Sequence, residues 1–154
     1  MTSCTECSNV YTTSDQEKWR FIPGMCQSCT EHEFSFAASH GNLKLIKSLV
    51  RRGMSLETTI HGETALMLAA RNGRVQVAEW LLDHGAHPDT ATAWGETALM
   101  ESAWKGCGPI TELLLAHGAN AEAQTKWGTT ALSEAKSKGH HHIVELLTLN
   151  GNFT

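Results

Sequence analysis

One short phrase recurs in this sequence at a constant interval. It reads Gly-Glu-Thr-Ala-Leu from Gly62 and again from Gly95, and Gly-Thr-Thr-Ala-Leu from Gly128, so that the three glycines are 33 residues apart. A sequence period of about 20–50 residues predicts an architecture of stacked repeats. The same step separates further positions: Gly73, Gly106 and Gly139; Gly85, Gly118 and Gly151; Leu81, Leu114 and Leu147; Val77, Ile110 and Ile143.

Within one period, the apolar spacing predicts two short helices followed by a loop. Leu66, Ala69 and Ala70 would share one face of the first helix, which Gly73 ends. The second helix, closed by Gly85, has its apolar residues at helical steps. Two short helices cannot bury their apolar faces alone, so the copies are expected to stack into a mainly α solenoid.

These residues resemble the ankyrin repeat. The resemblance implies a solenoid of about four helix-turn-helix repeats, placed at 32–60, 61–93, 94–126 and 127–154. Ankyrin repeats are binding scaffolds as a family, which implies a partner protein on the loop tips and the exposed side of the first helices. The matching positions are Thr64-Ala65-Leu66, Ala69-Ala70 and Gly73; Thr97-Ala98-Leu99, Ala103 and Gly106; Thr130-Ala131-Leu132, Ala135 and Gly139-His140; and, in a degenerate first copy, Phe34, Ala37-Ala38, Gly41 and Gly53.

Two cysteine pairs precede the repeats. Cys4-x-x-Cys7 and Cys26-x-x-Cys29 are separated by eighteen residues. Two such pairs can supply four thiolates to one tetrahedral Zn²⁺, as in a zinc-ribbon or treble-clef-like module. Four thiolates close the coordination sphere, so the predicted zinc is structural rather than catalytic. A redox pair, unrelated thiols, or His32 as a substitute ligand are the alternatives.

The predicted zinc module, residues 1–31, is expected to pack on the array, residues 32–154. Only four residues separate Cys29 from Phe34, which is too short for an independent linker. The module would then cap the first repeat or offer a second contact surface. Its charge argues against a phosphate-binding surface, because Glu6, Asp15, Glu17 and Glu31 outnumber Lys18 and Arg20.

Composition excludes several classes of function. The formal net charge of −4 offers no general attraction to nucleic acid or to an anionic membrane. Apolar runs are too short to cross a bilayer, and the N-terminus lacks a secretory pattern. Paired cysteines without such a pattern favour a reduced compartment, so an intracellular, cytoplasmic protein is expected, with the nucleus as a second possibility. No phosphate loop, nucleophile elbow or metalloprotease motif occurs, which predicts that the chain is not an enzyme.

Transferred column by column, the ankyrin resemblance gives a set of candidate partner-binding positions. Three of the five tryptophans fall in this set. They are interpreted as anchors for a partner, because interface hot spots favour Trp; the alternative is that the rings stiffen neighbouring loops. The positions are Ile60, His61, Glu63, Arg71 and Asn72; Ala93, Trp94, Glu96, Trp104 and Lys105; and Lys126, Trp127, Thr129, Ser137 and Lys138.

Other residues are interpreted as structural. Trp80 falls in the middle of a second helix and is predicted to pack there, and His140 is predicted to pack or cap near a helix start. Pro109 suits the first turn of a helix, and Cys107 has no base beside it in sequence.

The sequence therefore predicts a protein-binding adaptor or inhibitor that uses an ankyrin groove, with one structural Zn²⁺. The alternative is a nucleic-acid-associated regulator that contacts DNA or RNA through the zinc module.

Overall fold

The structure, a computed structural model, describes residues 2–3, 10–11 and 27–151. In the longest of these ranges the chain forms four consecutive helix pairs. The pairs are α1 (Gln27–His40) with α2 (Leu43–Arg51), α3 (Ala65–Arg71) with α4 (Val75–Asp83), α5 (Ala98–Lys105) with α6 (Gly108–Ala116), and α7 (Ala131–Lys138) with α8 (His141–Gly151). The mainly helical array predicted from the 33-residue period is therefore confirmed.

The N-terminal segment is described only in part. Strand β1 (Thr2–Ser3) pairs antiparallel with β2 (Val10–Tyr11). Three of the predicted zinc ligands, Cys4, Cys7 and Cys26, lie outside the described residues. Cys29 lies in the first turn of α1 and is buried.

Helix α1 begins before the boundary between residues 31 and 32 that the sequence suggests for the two units. It runs without interruption from Gln27 into the first repeat, where Phe34, Ala37 and Ala38 are fully buried. Cys29 and the core residues of the first repeat therefore belong to one continuous helix, with no linker between them.

The recurring Thr-Ala-Leu phrase starts the first helix of the last three pairs. Thr64, Thr97 and Thr130 are the N-cap residues of α3, α5 and α7, and each hydroxyl accepts a hydrogen bond from the backbone N–H three residues later. This satisfies a donor that the helix cannot pair internally. Between the helices of the third pair, Pro109 occupies the first turn of α6, as predicted.

The helices form two layers with the core between them. The first helices α1, α3, α5 and α7 pack in sequence, and α4, α6 and α8 pack beside them, while α2 contacts α1. Equivalent side chains fill the core in successive repeats, since Leu81 and Leu114 are both fully buried and Leu147 nearly so. Trp80 is half-buried against this core and stacks on His84, which confirms its packing role.

The loops between the pairs end in tight turns. Strands β3 (Thr59–Ile60) and β4 (Glu63–Thr64) form a hairpin whose two turn residues, His61 and Gly62, both have positive φ, at 54° and 84°. Two successive positive φ values are typical of a type I′ turn, which matches the twist of a hairpin. The next loop tip is at Gly95, with φ of 87°.

Adjacent loop tips are joined through their main chains. The Lys126 N–H donates to the Trp94 carbonyl over 2.9 Å. A Cβ on Gly95 would lie only 3.0 Å from the Gln124 carbonyl oxygen and from the Thr125 Cα. Glycine is required at position 95 both by its φ and by this close approach of backbone.

Candidate functional site

A concave groove of about 480 Å³ runs along the exposed side of α3, α5 and α7 and under the loop tips of the third and fourth repeats. Its walls combine indole rings, carboxylates and hydroxyls, and the large apolar side chains among the described lining residues are Met100 and two tryptophans. The lining residues are Arg71, Glu96, Met100, Glu101, Trp104, Thr125, Trp127, Thr129, Glu134, Ser137 and Lys138.

At one end of the groove, an arginine is held between two carboxylates. Arg71 on α3 donates to Glu101 on α5 through Nε and Nη2, over 2.8 and 2.7 Å, and its Nη2 also donates to Glu63. The Glu101 side chain is only 12% exposed. The hydrogen bonds to Glu101, assisted by those to Glu63 and by the charges of both, raise the pKa of Arg71 despite its partial desolvation. This network links the second repeat to the third.

Three tryptophans expose large apolar surface along the rest of the groove. Trp94 is 53% exposed, Trp104 45% and Trp127 70%. Trp94 and Trp127 belong to successive loop tips, where the 33-residue step brings equivalent side chains side by side. Their rings stack with centroids 5.5 Å apart and an interplanar angle of 23°. The pair therefore forms one continuous aromatic ledge (Trp94 and Trp127) at the rim of the groove.

Lysines of the chain itself lie over two of these indole faces. The Lys126 Nζ is 5.0 Å from the centroid of the Trp94 ring, and the Lys138 Nζ is 4.9 Å from that of Trp104. Both distances are within the range of a cation–π contact, which is about 6 Å. These indole faces thus accept a positive charge.

His140 packs against the C-terminal end of α5, next to Trp104. Its Nε2 lies 3.2 Å from the Trp104 carbonyl oxygen. Its ring covers Gly106, where an added Cβ would be only 2.6 Å from the imidazole Cε1. The sequence-based expectation that His140 packs near the start of α8 is confirmed.

The structure brings part of the sequence-derived set together. Arg71, Glu96, Trp104, Trp127 and Lys138 line the groove, as do Thr129 and Ser137. Trp94 and Lys126 join them at the rim through the aromatic ledge. The other positions of the set lie outside the lining: Ile60, His61, Glu63, Asn72, Ala93 and Lys105.

Glu101 and Glu134 are groove residues that the sequence reasoning missed. They occupy equivalent positions one period apart, both on the first helices. The equivalent residue of the second repeat is the apolar Leu68, so the clearest copy offered no signal. A comparison of the third and fourth copies alone would have found them.

For metal, the described residues show no group of three or more His, Cys, Asp or Glu side chains that could hold an ion. Of the predicted zinc ligands only Cys29 falls within those residues, so the zinc site remains a prediction. No helix in the described part of the chain combines the length and apolar character that a membrane span requires.

Stacked helix pairs with short turns, a buried ladder of equivalent leucines and an open concave face define a repeat scaffold of the kind that binds other proteins. The sequence model of the family described as "Ankyrin repeats (3 copies)" matches residues 34–125, and the chain belongs to this family. A search among curated proteins returned no match.

Proposed function

We propose that this chain is a non-enzymatic adaptor or inhibitor that binds a partner protein in the groove between α3, α5, α7 and the loop tips. The observation that carries the proposal is the exposure of Trp94, Trp104 and Trp127 along one concave face. Ankyrin repeats in general act as protein-interaction modules, which supports the class of function.

Indole rings exposed at 45–70% leave apolar surface in water that a partner could cover. Trp is favoured at interface hot spots because one rigid ring buries a large area at a low cost in side-chain entropy. The stack of Trp94 on Trp127 supplies part of the stiffening role that the sequence left as the alternative. Because each ring remains at least half exposed, the stack also fixes the two rings in an orientation in which a partner can contact them.

The groove itself is tested by site-specific photo-crosslinking. A benzoylphenylalanine replaces Thr129 on the groove wall, and in a control chain it replaces the exposed Glu145 on α8. The proposal expects a crosslinked protein from position 129 and none of the same mass from position 145. Equal crosslinking from both positions would remove the groove as the binding site.

The tryptophans are tested in the same assay. The double variant Trp94→Ala/Trp104→Ala is expected to weaken capture by about 2 kcal/mol or more while the fold is retained. Leu149→Ala is the matched control, because Leu149 is 63% exposed but lies on α8, away from the groove. Retained capture with loss of thermal stability would show that the rings are structural only.

We also propose that Cys4, Cys7, Cys26 and Cys29 hold one structural Zn²⁺. Cys29 fits this role in two respects, since it is buried and lies in the first turn of α1. The N-terminus of a helix favours a thiolate, which is the form that binds metal. The continuity of α1 with the first repeat gives the ion a means to stabilise that end of the array.

The zinc proposal is tested by metal analysis of the purified chain and by cobalt substitution. One equivalent of zinc and the absorption spectrum of a four-thiolate cobalt site are expected, and Cys7→Ser should abolish both. A cobalt spectrum with a bound water would instead indicate an open site. The nucleic-acid alternative concerns the zinc module, where the acidic Glu6, Asp15, Glu17 and Glu31 outnumber Lys18 and Arg20, a balance that disfavours phosphate.

A further inference from the structure

The ion network at one end of the groove has an incomplete counterpart one repeat further along. A step of 33 residues takes Glu63 to Glu96 and Glu101 to Glu134, so the pair of carboxylates recurs. The same step takes Arg71, which lies between the first pair, to Trp104. The equivalent position between the third and fourth repeats therefore keeps both acids of the network but has an indole ring in place of the cation.

Within the described residues, the second pair of carboxylates forms no ion pair. Among residues 27–151, Glu63 and Glu101 form ion pairs, whereas Glu96 and Glu134 do not. The Thr92 hydroxyl donates to Glu96 Oε2 over 3.1 Å, which leaves acceptor capacity on Oε1. Both carboxylates line the groove together with Trp104.

The indole ring at the position equivalent to Arg71 already lies under a cation. The Lys138 ammonium lies 4.9 Å from the centroid of the Trp104 ring, and Lys138 is exposed and can move away. With Arg71 neutralised by its own partners, the remaining charged groups of the groove are Glu96, Glu134 and Lys138. Among these lining groups two carboxylates face one ammonium, while the Lys126 ammonium lies at the rim over Trp94. Displacement of Lys138 leaves both carboxylates for a positively charged side chain.

We propose that the groove takes an arginine side chain of the partner protein, stacked on Trp104 and bound by Glu96 and Glu134. Its guanidinium would complete in the third repeat the arrangement that Arg71 completes in the second. This inference rests on the proposed function, since it names the chemistry by which the same groove recognises its partner.

Arginine fits this position better than lysine. A planar guanidinium can stack on an indole face while its N–H groups reach carboxylates at its edge, as those of Arg71 reach Glu63 and Glu101. A lysine ammonium can lie over the ring, as Lys138 does, but cannot present a fork of donors to an acid at the same time. The guest is thus distinguished by shape as well as by charge.

The test uses two short peptides, Gly-Gly-Arg-Gly-Gly and the same peptide with citrulline in place of arginine, both blocked at their ends. Citrulline keeps the size of the side chain and removes its charge. The readout is the indole N–H resonance of Trp104 in the full chain, assigned from the spectrum of Trp104→Phe. The arginine peptide should shift this resonance with an affinity about tenfold higher than that of the citrulline peptide.

Variants locate the guest. Glu96→Gln and Glu134→Gln should each weaken the arginine peptide several-fold, and Lys138→Met should strengthen it by removing the competing ammonium. Glu122→Gln is the matched control, because it makes the same charge change at an exposed position outside the groove. Thermal unfolding and the amide spectrum of each variant report whether the fold is retained.

Three results would overturn the inference. They are equal shifts with citrulline and arginine, an effect of Glu122→Gln as large as that of Glu134→Gln, and no shift with either the wild type or Lys138→Met. The peptides need no natural partner, so this outcome is independent of the crosslinking at position 129. A partner crosslinked there but captured equally well by Glu134→Gln would leave the proposed function intact and refute the arginine.

Discussion

The second and third repeats carry different side chains at one equivalent position of the groove. In the second, Arg71 is bound by Glu63 and Glu101 and is satisfied within the chain. In the third, Trp104 is 45% exposed, with the Lys138 ammonium over its face. The two positions are equivalent, since both lie in the last turn of a first helix that a threonine caps. The difference shows that the repeat architecture fixes where equivalent side chains are placed. The identity of the residue in each repeat then determines whether that position is bound within the chain (the closed face, at Arg71) or exposed to solvent (the open face, at Trp104).

If the second and third repeats differ only in their groove-facing side chains, equivalent substitutions in their cores should lower stability by similar amounts. Leu81→Ala and Leu114→Ala each remove a fully buried side chain at the same position of a second helix. Each is expected to lower the free energy of unfolding by about 3 kcal/mol, through lost burial and the cavity left behind. Urea denaturation followed by circular dichroism measures both values. Losses that differ by more than half would break the equivalence of the two cores.

A second comparison concerns the glycines that end the first helices. Gly106→Ala would drive a methyl group against the His140 ring at 2.6 Å and strain a φ of 83°, whereas Gly73→Ala meets only the end of Lys105 at 3.9 Å. We expect losses of about 2 kcal/mol for Gly106→Ala and about 1 kcal/mol for Gly73→Ala. The double variant Gly106→Ala/His140→Ala separates the two causes in the same assay, because it relieves the contact and leaves the strain.

The closed face should contribute more to stability than the open one. Arg71→Met leaves the half-buried acids Glu63 and Glu101 without their donor, and a loss of about 1–2 kcal/mol is expected. Trp104→Met at the equivalent position should cost under about 0.5 kcal/mol, since exposed positions contribute little. Thermal melts of both variants, with Glu101→Gln added to Arg71→Met as a double-mutant cycle, check the difference. Similar losses at the two positions would mean that Trp104 is part of the structure rather than a free surface.

The smallest effect is expected at the loop tips. Trp94→Ala, Trp127→Ala and their combination form a double-mutant cycle for the ring stack at 5.5 Å. A coupling energy of about 0.5–1 kcal/mol is expected for an aromatic pair of this geometry. The matched position of the second repeat is His61, whose substitution by Ala should show no coupling to Trp127. A zero coupling between Trp94 and Trp127 would mean that the ledge is not formed in solution.

The repeat period predicted the helix pairs and the column of buried leucines, because these features are set by spacing. The capping role of Thr64, Thr97 and Thr130 was not predicted, although the repeated Thr-Ala-Leu phrase contains all three. Contacts between side chains from different repeats were harder to foresee. The bond from Arg71 to Glu101 joins residues thirty positions apart, and the clearest copy has Leu68 where the later copies have the acid. The start of α1 at Gln27 was also missed, since helical propensity there competes with a cysteine motif read as a knuckle.

The clasp between adjacent loop tips bears on how freely this surface can vary. It is made by the Lys126 N–H, the Trp94 carbonyl and the close contact at Gly95, and none of these depends on the side chain at position 94 or 127. A combinatorial library could therefore randomise those two residues and still preserve the scaffold beneath them. Lengthening the turn by one residue ahead of Gly95 would break the clasp. New binding specificities can therefore be obtained at these loop tips by substitution but not by insertion.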